Sequence, residues 1–246
     1  MQNIYDDNEF FGKYIEHRSQ DVNANNLIEK PIFYSMLPDM LGKDVLDIGC
    51  GVGELCQYAL SCGAGKVVGI DCSKNMLELA RQNCSKDISF YNILMEQLSK
   101  IHDKFDIVTS ELAFHYVEDF DKLISDIASL LKSGGKLIFS QEHPLVTAFK
   151  NPNHEKIDTK IDIMGKRYYL VSDYNVLGKR VVKWNVNGVI KYHRNFTDII
   201  NTLTRHGFVI DQLFESYADE EVIKKEPKYK YQNDRPYFLF ICATLK

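Results

Sequence analysis

Short apolar runs alternate with segments of helical periodicity along most of this chain. From Asp44 onward the runs "VLDI", "KVVGI", "ISFYN", "FDIVTS" and "KLIFS" are separated by polar stretches, and "ELCQYALSC" and "SKNMLELARQNC" fill the first gaps with helix-period sequence. Repeated strand and helix units predict a parallel sheet with helices on both faces. The clearest helix carries Phe120, Leu123, Ile124, Ile127, Leu130 and Leu131 on one stripe, followed by a basic last turn and glycine stop at "KSGG". Before the sheet, Asn23 to Met40 predicts a helix broken by Pro31 and lying over the loop ends.

After Gln141 the rhythm changes. Between Pro144 and Lys191 the stretch "YYLVSDYNVLGKRVVKWNVNGVIKYH" begins, alternating aromatic, β-branched and polar residues; turn signals at "LG" and "NG" predict antiparallel hairpins. The strand and helix alternation resumes in "NFTDIINTLTRHGFVIDQLF" and closes on the apolar "RPYFLFICATLK". No linker or repeat interrupts the chain. The expectation is one domain over residues 1–246, with residues 1–40 as an N-terminal lid and residues 144–191 as an insertion capping the substrate.

Composition narrows the partners. A chain of 246 residues, 45% hydrophobic and 26% charged, is an ordinary globular sequence, and its net charge of −4 supplies no basic stripe for nucleic acid. No apolar stretch reaches the roughly 18 residues of a membrane span, and the first residues do not read as a secretory signal. The expectation is a cytoplasmic protein without nucleic-acid or membrane partners, monomeric or homodimeric. The cysteines at 50, 56, 62, 72, 84 and 242 form no CxxC pair, so no metal site is expected.

"VLDIGCGVGELC" carries the candidate chemistry. Glycines at the carboxyl end of a strand let a ligand approach the backbone. A dinucleotide loop reads GxGxxG; here Gly49, Gly51 and Gly53 are followed by Glu54, so the third glycine is displaced. Asp47 and Glu54 bracket the loop, where a pyrophosphate would meet like charge and a cation would not. That favours S-adenosylmethionine, whose sulfonium and ammonium are positive. Asp71 in "VVGIDCS", at the end of the next strand, has the chemistry to accept from both ribose hydroxyls.

With "VVGIDCSKNMLELAR", "FDIVTSELAFHYVEDF" and "LLKSGGKLIFSQEHP", this loop resembles the successive motifs of class I S-adenosylmethionine-dependent methyltransferases. The likeness is to the small-molecule enzymes, in particular a bacterial subgroup of methyltransferase type 11/25 character. The resemblance is dense from Asp44 to Pro144. It implies an α/β fold with a seven-stranded Rossmann-like sheet whose last strand is antiparallel, and an antiparallel β insertion after strand 5. It implies that Gly49, Cys50 and Gly51 lie along methionine and ribose, that Asp71 holds the ribose, and that Cys72 and Met76 line the adenine. Leu94 stands where many relatives carry a polar side chain for the adenine amino group, so that contact is assigned to the backbone around Met95 and Glu96. Ser110, ending the fourth strand, completes the cofactor set.

Toward the methyl acceptor, the candidate acid–base groups are His115, Glu142 and His143, which follow the fourth and fifth strands. Each has a structural alternative: His115 bonding a helix start, His143 fixing a turn before Pro144, Glu142 pairing with a basic residue of the N-terminal segment. Tyr192, His193 and Arg194 in "KYHRN" are substrate candidates, Arg194 as a bidentate clamp on a carboxylate; the alternative is a solvated turn. Tyr14 suits a cation–π contact with the sulfonium, and Arg18 the cofactor's methionine carboxylate. Trp184 and Tyr174 are read as the insertion's small core. The function expected is in-line methyl transfer to a small-molecule O or N acceptor, yielding S-adenosylhomocysteine. The alternatives are an NAD(P)-dependent oxidoreductase and a non-catalytic S-adenosylmethionine-binding protein.

Overall fold

The computed structural model describes residues 2–18, 22–150, 160–184 and 186–246. Seven strands form the main sheet: β1 (Asp44–Ile48), β2 (Lys66–Asp71), β3 (Ser89–Asn92), β4 (Phe105–Ser110), β5 (Leu131–Glu142), β10 (Phe208–Glu215) and β11 (Phe238–Leu245). Their order is β10-β11-β5-β4-β1-β2-β3. β1 to β5 are mutually parallel, and β11 lies antiparallel between β5 and β10, as the resemblance implied. The order reverses between β1 and β4, so a crevice opens beyond their carboxyl ends.

Burial on both faces explains the uninterrupted apolar strands. One core packs Leu46, Ile48, Phe139 and Leu239 against α5 (Phe120–Leu130) and α7 (Phe196–Arg205). The other packs Val45, Val67, Ile138 and Phe240 against α3 (Glu54–Ser61) and α4 (Lys74–Asn83). α5 buries the apolar stripe read from the sequence and is capped by the Asp119 carboxylate, which accepts from Lys122 N at 2.9 Å. It ends at Leu130, ahead of the "KSGG" turn, because Leu131 already pairs with Phe105 as sheet.

The N-terminal half departs from expectation in one respect. Pro31 does not break the helix: it is the second residue of α2 (Lys30–Ser35), and the backbone on both sides of it is helical. A π-helical turn, Asn25–Glu29, runs directly into α2. Ahead of both lie a 3-10 turn, Ile4–Asp6, and α1 (Asn8–Arg18).

The insertion begins with the short helix α6 (Pro144–Thr147) and continues as two hairpins separate from the main sheet. They are β6 (Lys160–Ile163) with β7 (Lys166–Tyr169), and β8 (Gly178–Trp184) with β9 (Val186–His193). Neither expected turn signal makes a hairpin turn. Met164 and Gly165, both at positive φ, turn the first hairpin, while "LG" leads into β8 and "NG" lies within β9. α8 (Glu220–Lys225) and a 3-10 segment, Pro227–Asn233, connect β10 to β11 and bring Tyr229 and Tyr231 over the crevice.

Candidate active site

The crevice is a cavity of about 340 Å³ at the strand ends. Its floor is the loop after β1. Gly49 has φ +74°, and a Cβ there would stand 2.7 Å from that of Ala113, so no larger residue fits without displacement. Gly51, at φ +53°, has no atom within 4 Å of a Cβ position and borders the open cleft. The loop is fixed by Gly49 N and Cys50 N, which both donate to Ile70 O.

Asp71 ends β2 beside this loop. Its Oδ2 accepts from Gly51 N at 2.9 Å and its Oδ1 from Ser73 N at 2.8 Å. Each oxygen thus has one backbone partner that orients it, the Cys72 thiol bonds the same carboxylate, and acceptor capacity remains for a further bond. Burial raises the carboxyl's pKa, against the lowering effect of those amides. Cys72, Met76, Ile93 and Met95 form an apolar wall next to it, the expected adenine side.

The far end lies beyond β4 and β5. Leu112 takes a left-handed backbone, φ 51°, and its N–H donates to both the carbonyl and the hydroxyl of Ser140 at 3.0 Å. That strain, worth about 1–3 kcal/mol for a non-glycine, is held by a shaped cleft wall. Ser140 Oγ in turn donates to Glu29 Oε1 at 2.6 Å. His115, Tyr116 and Glu142 line this end. The Glu142 carboxylate meets Lys191 Nζ at 2.5 Å, and Lys191 lies 4.8 Å from the Trp184 ring centroid.

The N-terminal segment closes one side. Tyr5, Phe10 and Tyr14 pack with Trp184 and Val189 of the insertion, and Tyr5 shares a 3.3 Å hydroxyl contact with Tyr116. Asp6 latches this segment to α4: its Oδ1 accepts from Ser73 Oγ at 2.6 Å and Asn75 N at 3.2 Å. The bonds hold its carboxyl below the ordinary range, although its partial burial opposes them. Trp184 is therefore both insertion core and cleft wall.

Several expected site residues lie elsewhere. Asp47 shares a sheet face with its parallel neighbour Thr109 and points toward α3; it accepts from Thr109 Oγ1 at 2.9 Å and Cys56 Sγ at 3.6 Å. Burial pushes its pKa up to about 7, so its charge is weaker than the sequence argument assumed. Ser110 donates to Ile48 O and is buried under the loop, not in the cleft. Glu96 does not line the cleft, whereas Met95 does. His143 is fully buried: Nδ1 accepts from Leu145 N, capping α6, and Nε2 donates to Glu215. His115 remains at the cleft, but burial lowers its pKa to about 3, so it is neutral rather than poised near pH 7.

The "KYHRN" triad also turns away. Tyr192 donates to Glu118, and His193 is enclosed between the Thr147 hydroxyl and Tyr174 O. Arg194 is buried and gives its guanidinium to the carbonyls of Phe114, Val117 and Glu118. It is a brace, neither a clamp nor a solvated turn. Arg18 ends α1, and its side chain lies outside the described residues. The sequence reading missed Lys191, Glu29 and Glu111. For Lys191 a signal existed, because period-two alternation puts it on the same face of β9 as buried Val189 and His193.

A glycine loop after β1, a carboxylate ending β2 and a crevice at the strand-order reversal define a Rossmann-like enzyme fold with a nucleoside-type site. Residues 46–139 match the family profile of the methyltransferase domain. An uncharacterized protein of Haemophilus influenzae is 38% identical over 252 residues, spanning 98% of this chain and 96% of its own length. Among solved structures, an S-adenosylmethionine-dependent methyltransferase from Mesorhizobium loti is 33% identical with TM-score 0.78, covering 91% of this chain and 99% of the other. A putative S-adenosylmethionine-dependent methyltransferase from Listeria monocytogenes is 34% identical with TM-score 0.77, covering 89% and 96%. The chain belongs to the S-adenosylmethionine-dependent methyltransferases, and its cofactor is S-adenosylmethionine. The oxidoreductase alternative falls with that membership. The open face above Gly51 and the spare acceptor capacity of Asp71 fit this group.

Proposed function

We propose that the enzyme transfers a methyl group to a small-molecule acceptor held at the Glu142 end of the cleft. When bound, S-adenosylmethionine supplies an activated methyl group, so the protein's task is alignment, which can contribute roughly 7–11 kcal/mol. Asp71 holds the ribose hydroxyls, Gly49 to Gly51 follow the ribose and methionine, and Cys72, Met76 and Met95 pack on adenine. Glu142 is the acceptor-side carboxylate, available to hydrogen-bond an O–H or N–H of the incoming molecule. Neutral His115 accepts from Glu142 N through Nδ1, so its proton sits on Nε2 as a donor. Residues 1–40 act as the lid and residues 144–191 as the cap.

One observation carries this reading: a single cavity touches both the Asp71 and Gly51 floor and the Tyr116, Glu142 and Trp184 wall. Glu142 ends β5 of the sheet, while Tyr116 follows β4 and Trp184 comes from the insertion, and a wall so assembled suits an acceptor small enough to be enclosed. The test is incubation with labelled S-adenosylmethionine and a cell metabolite extract. A labelled product of low mass that depends on Asp71 supports the reading; label found only on protein or nucleic acid overturns it.

A further inference from the structure

The insertion carries a surface that the cleft does not use. Of the sixteen large hydrophobic side chains exposed among the described residues, eight lie between Ile161 and Leu177. Apolar side chains scattered singly over a surface are ordinary, but such a concentration marks a contact. We propose that the β6–β7 hairpin docks on an anionic lipid surface, with Ile161, Ile163, Met164 and Tyr168 entering the interface.

Register decides which way these residues face. Directly opposed residues of an antiparallel pair share a face. Ile161 stands opposite Tyr168 and Ile163 opposite Lys166, so these four form one face of the hairpin. Lys160 stands opposite Tyr169 and Asp162 opposite Arg167, forming the other. That second face turns to the protein: the Tyr169 ring lies 6.3 Å from that of Tyr231 and 4.7 Å from the Arg235 guanidinium carbon. On the same face Arg167 is bonded to Asp162 at 2.9 and 3.1 Å. A sheet covered on one side ordinarily gives its apolar residues to the cover. This hairpin does the reverse, and Met164 at its turn is fully exposed. A two-stranded sheet is marginal by itself in water, so a second surface against the apolar face stabilises it.

Charge and size identify that surface. In the hairpin Lys160, Lys166 and Arg167 stand against one acid, Asp162, so it is basic by two charges on a chain whose net charge is −4. Lys166 shares the outer face, its Nζ 5.6 Å from the Tyr168 ring centroid. Apolar side chains beside basic ones, with a tyrosine that has an apolar ring and a polar tip, suit the headgroup region of an anionic lipid layer. A second copy docking face to face would bring two basic hairpins together. The four apolar side chains are also far fewer than the roughly 20–30 residues that a stable protein interface takes from each side.

No helix among the described residues is long and apolar enough to cross a membrane, so the contact is with the surface. The expectation of no membrane partner rested on the lack of a long apolar run. Here Ile161 and Ile163 alternate with Asp162, and only strand pairing gathers them with Tyr168 on one face.

The test is flotation of the intact protein with vesicles of phosphatidylcholine alone and of phosphatidylcholine mixed with phosphatidylglycerol. Binding should be at least about tenfold tighter to the anionic vesicles, since each basic residue near a charged lipid surface contributes severalfold, and should weaken as salt is raised. Ile163→Asp combined with Met164→Asp should lower that binding at least about tenfold, with an unchanged melting temperature because both side chains are already exposed. Lys166→Glu, which leaves the apolar tip intact, should narrow the preference for anionic lipid. Leu41→Asp, at an exposed apolar residue outside the insertion, should bind as the parent protein does. Absence of binding, equal binding to both vesicles, or binding undiminished in the double variant overturns the lipid assignment. So does a parent dimer in sedimentation velocity that the double variant abolishes, which would give this face to a second copy. The methyl-transfer reading is judged separately, from label transfer in solution without vesicles.

Discussion

Lys191 Nζ lies 2.5 Å from Glu142 Oε1, which joins β9 of the insertion to the carboxyl end of β5 at the cleft. Burial alone would raise the Glu142 pKa; the Lys191 charge, with a smaller contribution from His115, outweighs it and leaves the carboxyl below its ordinary value. A depressed folded pKa stabilises the protein above the unfolded value of about 4.3, and that stability is lost as pH falls through the folded pKa. Lys191→Met leaves burial unopposed, so the Glu142 pKa rises and the acid limb of kcat/KM moves to higher pH. Lys191→Arg should keep the limb in place. Removing one partner of a buried pair also costs about 3–5 kcal/mol, visible in chemical denaturation. An acid limb identical in Lys191→Met and the parent enzyme would sink the role given to this pair.

Asp71→Asn keeps one acceptor oxygen but loses the charge. At about 1.5–3 kcal/mol per charged hydrogen bond, affinity for S-adenosylmethionine should fall about ten- to hundredfold in calorimetry. Asp71 also orients Gly51 N and Ser73 N, so a melting curve must accompany the titration. Unchanged affinity with unchanged melting would remove Asp71 from the cofactor site.

Asp6→Ala releases the latch on Ser73 and Asn75. The loss should be about 0.5–2 kcal/mol, similar to a helix cap, and should appear as faster cofactor dissociation and earlier proteolytic cleavage near α1. Because the Asp6 carboxyl is held low, the same loosening is expected in the parent enzyme only as pH falls below the ordinary carboxylate range. A dissociation rate equal to that of the parent enzyme would argue against the lid.

Arg194→Ala tests a structural role. The buried guanidinium bridges Phe114, Val117 and Glu118 and stacks 4.8 Å from the Phe120 ring, so its loss should destabilise the fold by several kcal/mol, on the order of 2–5. KM for the acceptor, measured per folded enzyme, should change little. A selective rise in KM without destabilisation would restore the substrate clamp.

The chain's local chemistry made much of this legible. Continuous apolar strands and the stripe on α5 dictate a buried sheet with helices because no other arrangement removes those faces from water. The glycine spacing before Glu54 and the carboxylate at the end of β2 are equally local, since backbone approach and ribose recognition need only a few adjacent residues. These features located Gly49, Gly51 and Asp71, and the family resemblance added Cys50, Cys72 and Met76; all six line the cleft.

Other assignments depended on facts the order of residues does not contain. Asp47 and Thr109 meet because β1 and β4 are neighbours, which turns a supposed loop charge into a buried acceptor. His143 and Arg194 looked chemically suited to catalysis and binding, yet packing directed both onto backbone groups, since buried polar atoms must find partners. Glu142 did pair with a base, but with Lys191 from the insertion rather than with the N-terminal segment. The sequence by itself determined the sheet, its helices and the cofactor loop, which rest on periodicity and short-range contacts. Only the tertiary structure decided the acceptor wall, because Glu29, Tyr116, Glu142, Trp184 and Tyr231 are far apart in the chain and share a surface only once the sheet, lid and insertion have packed.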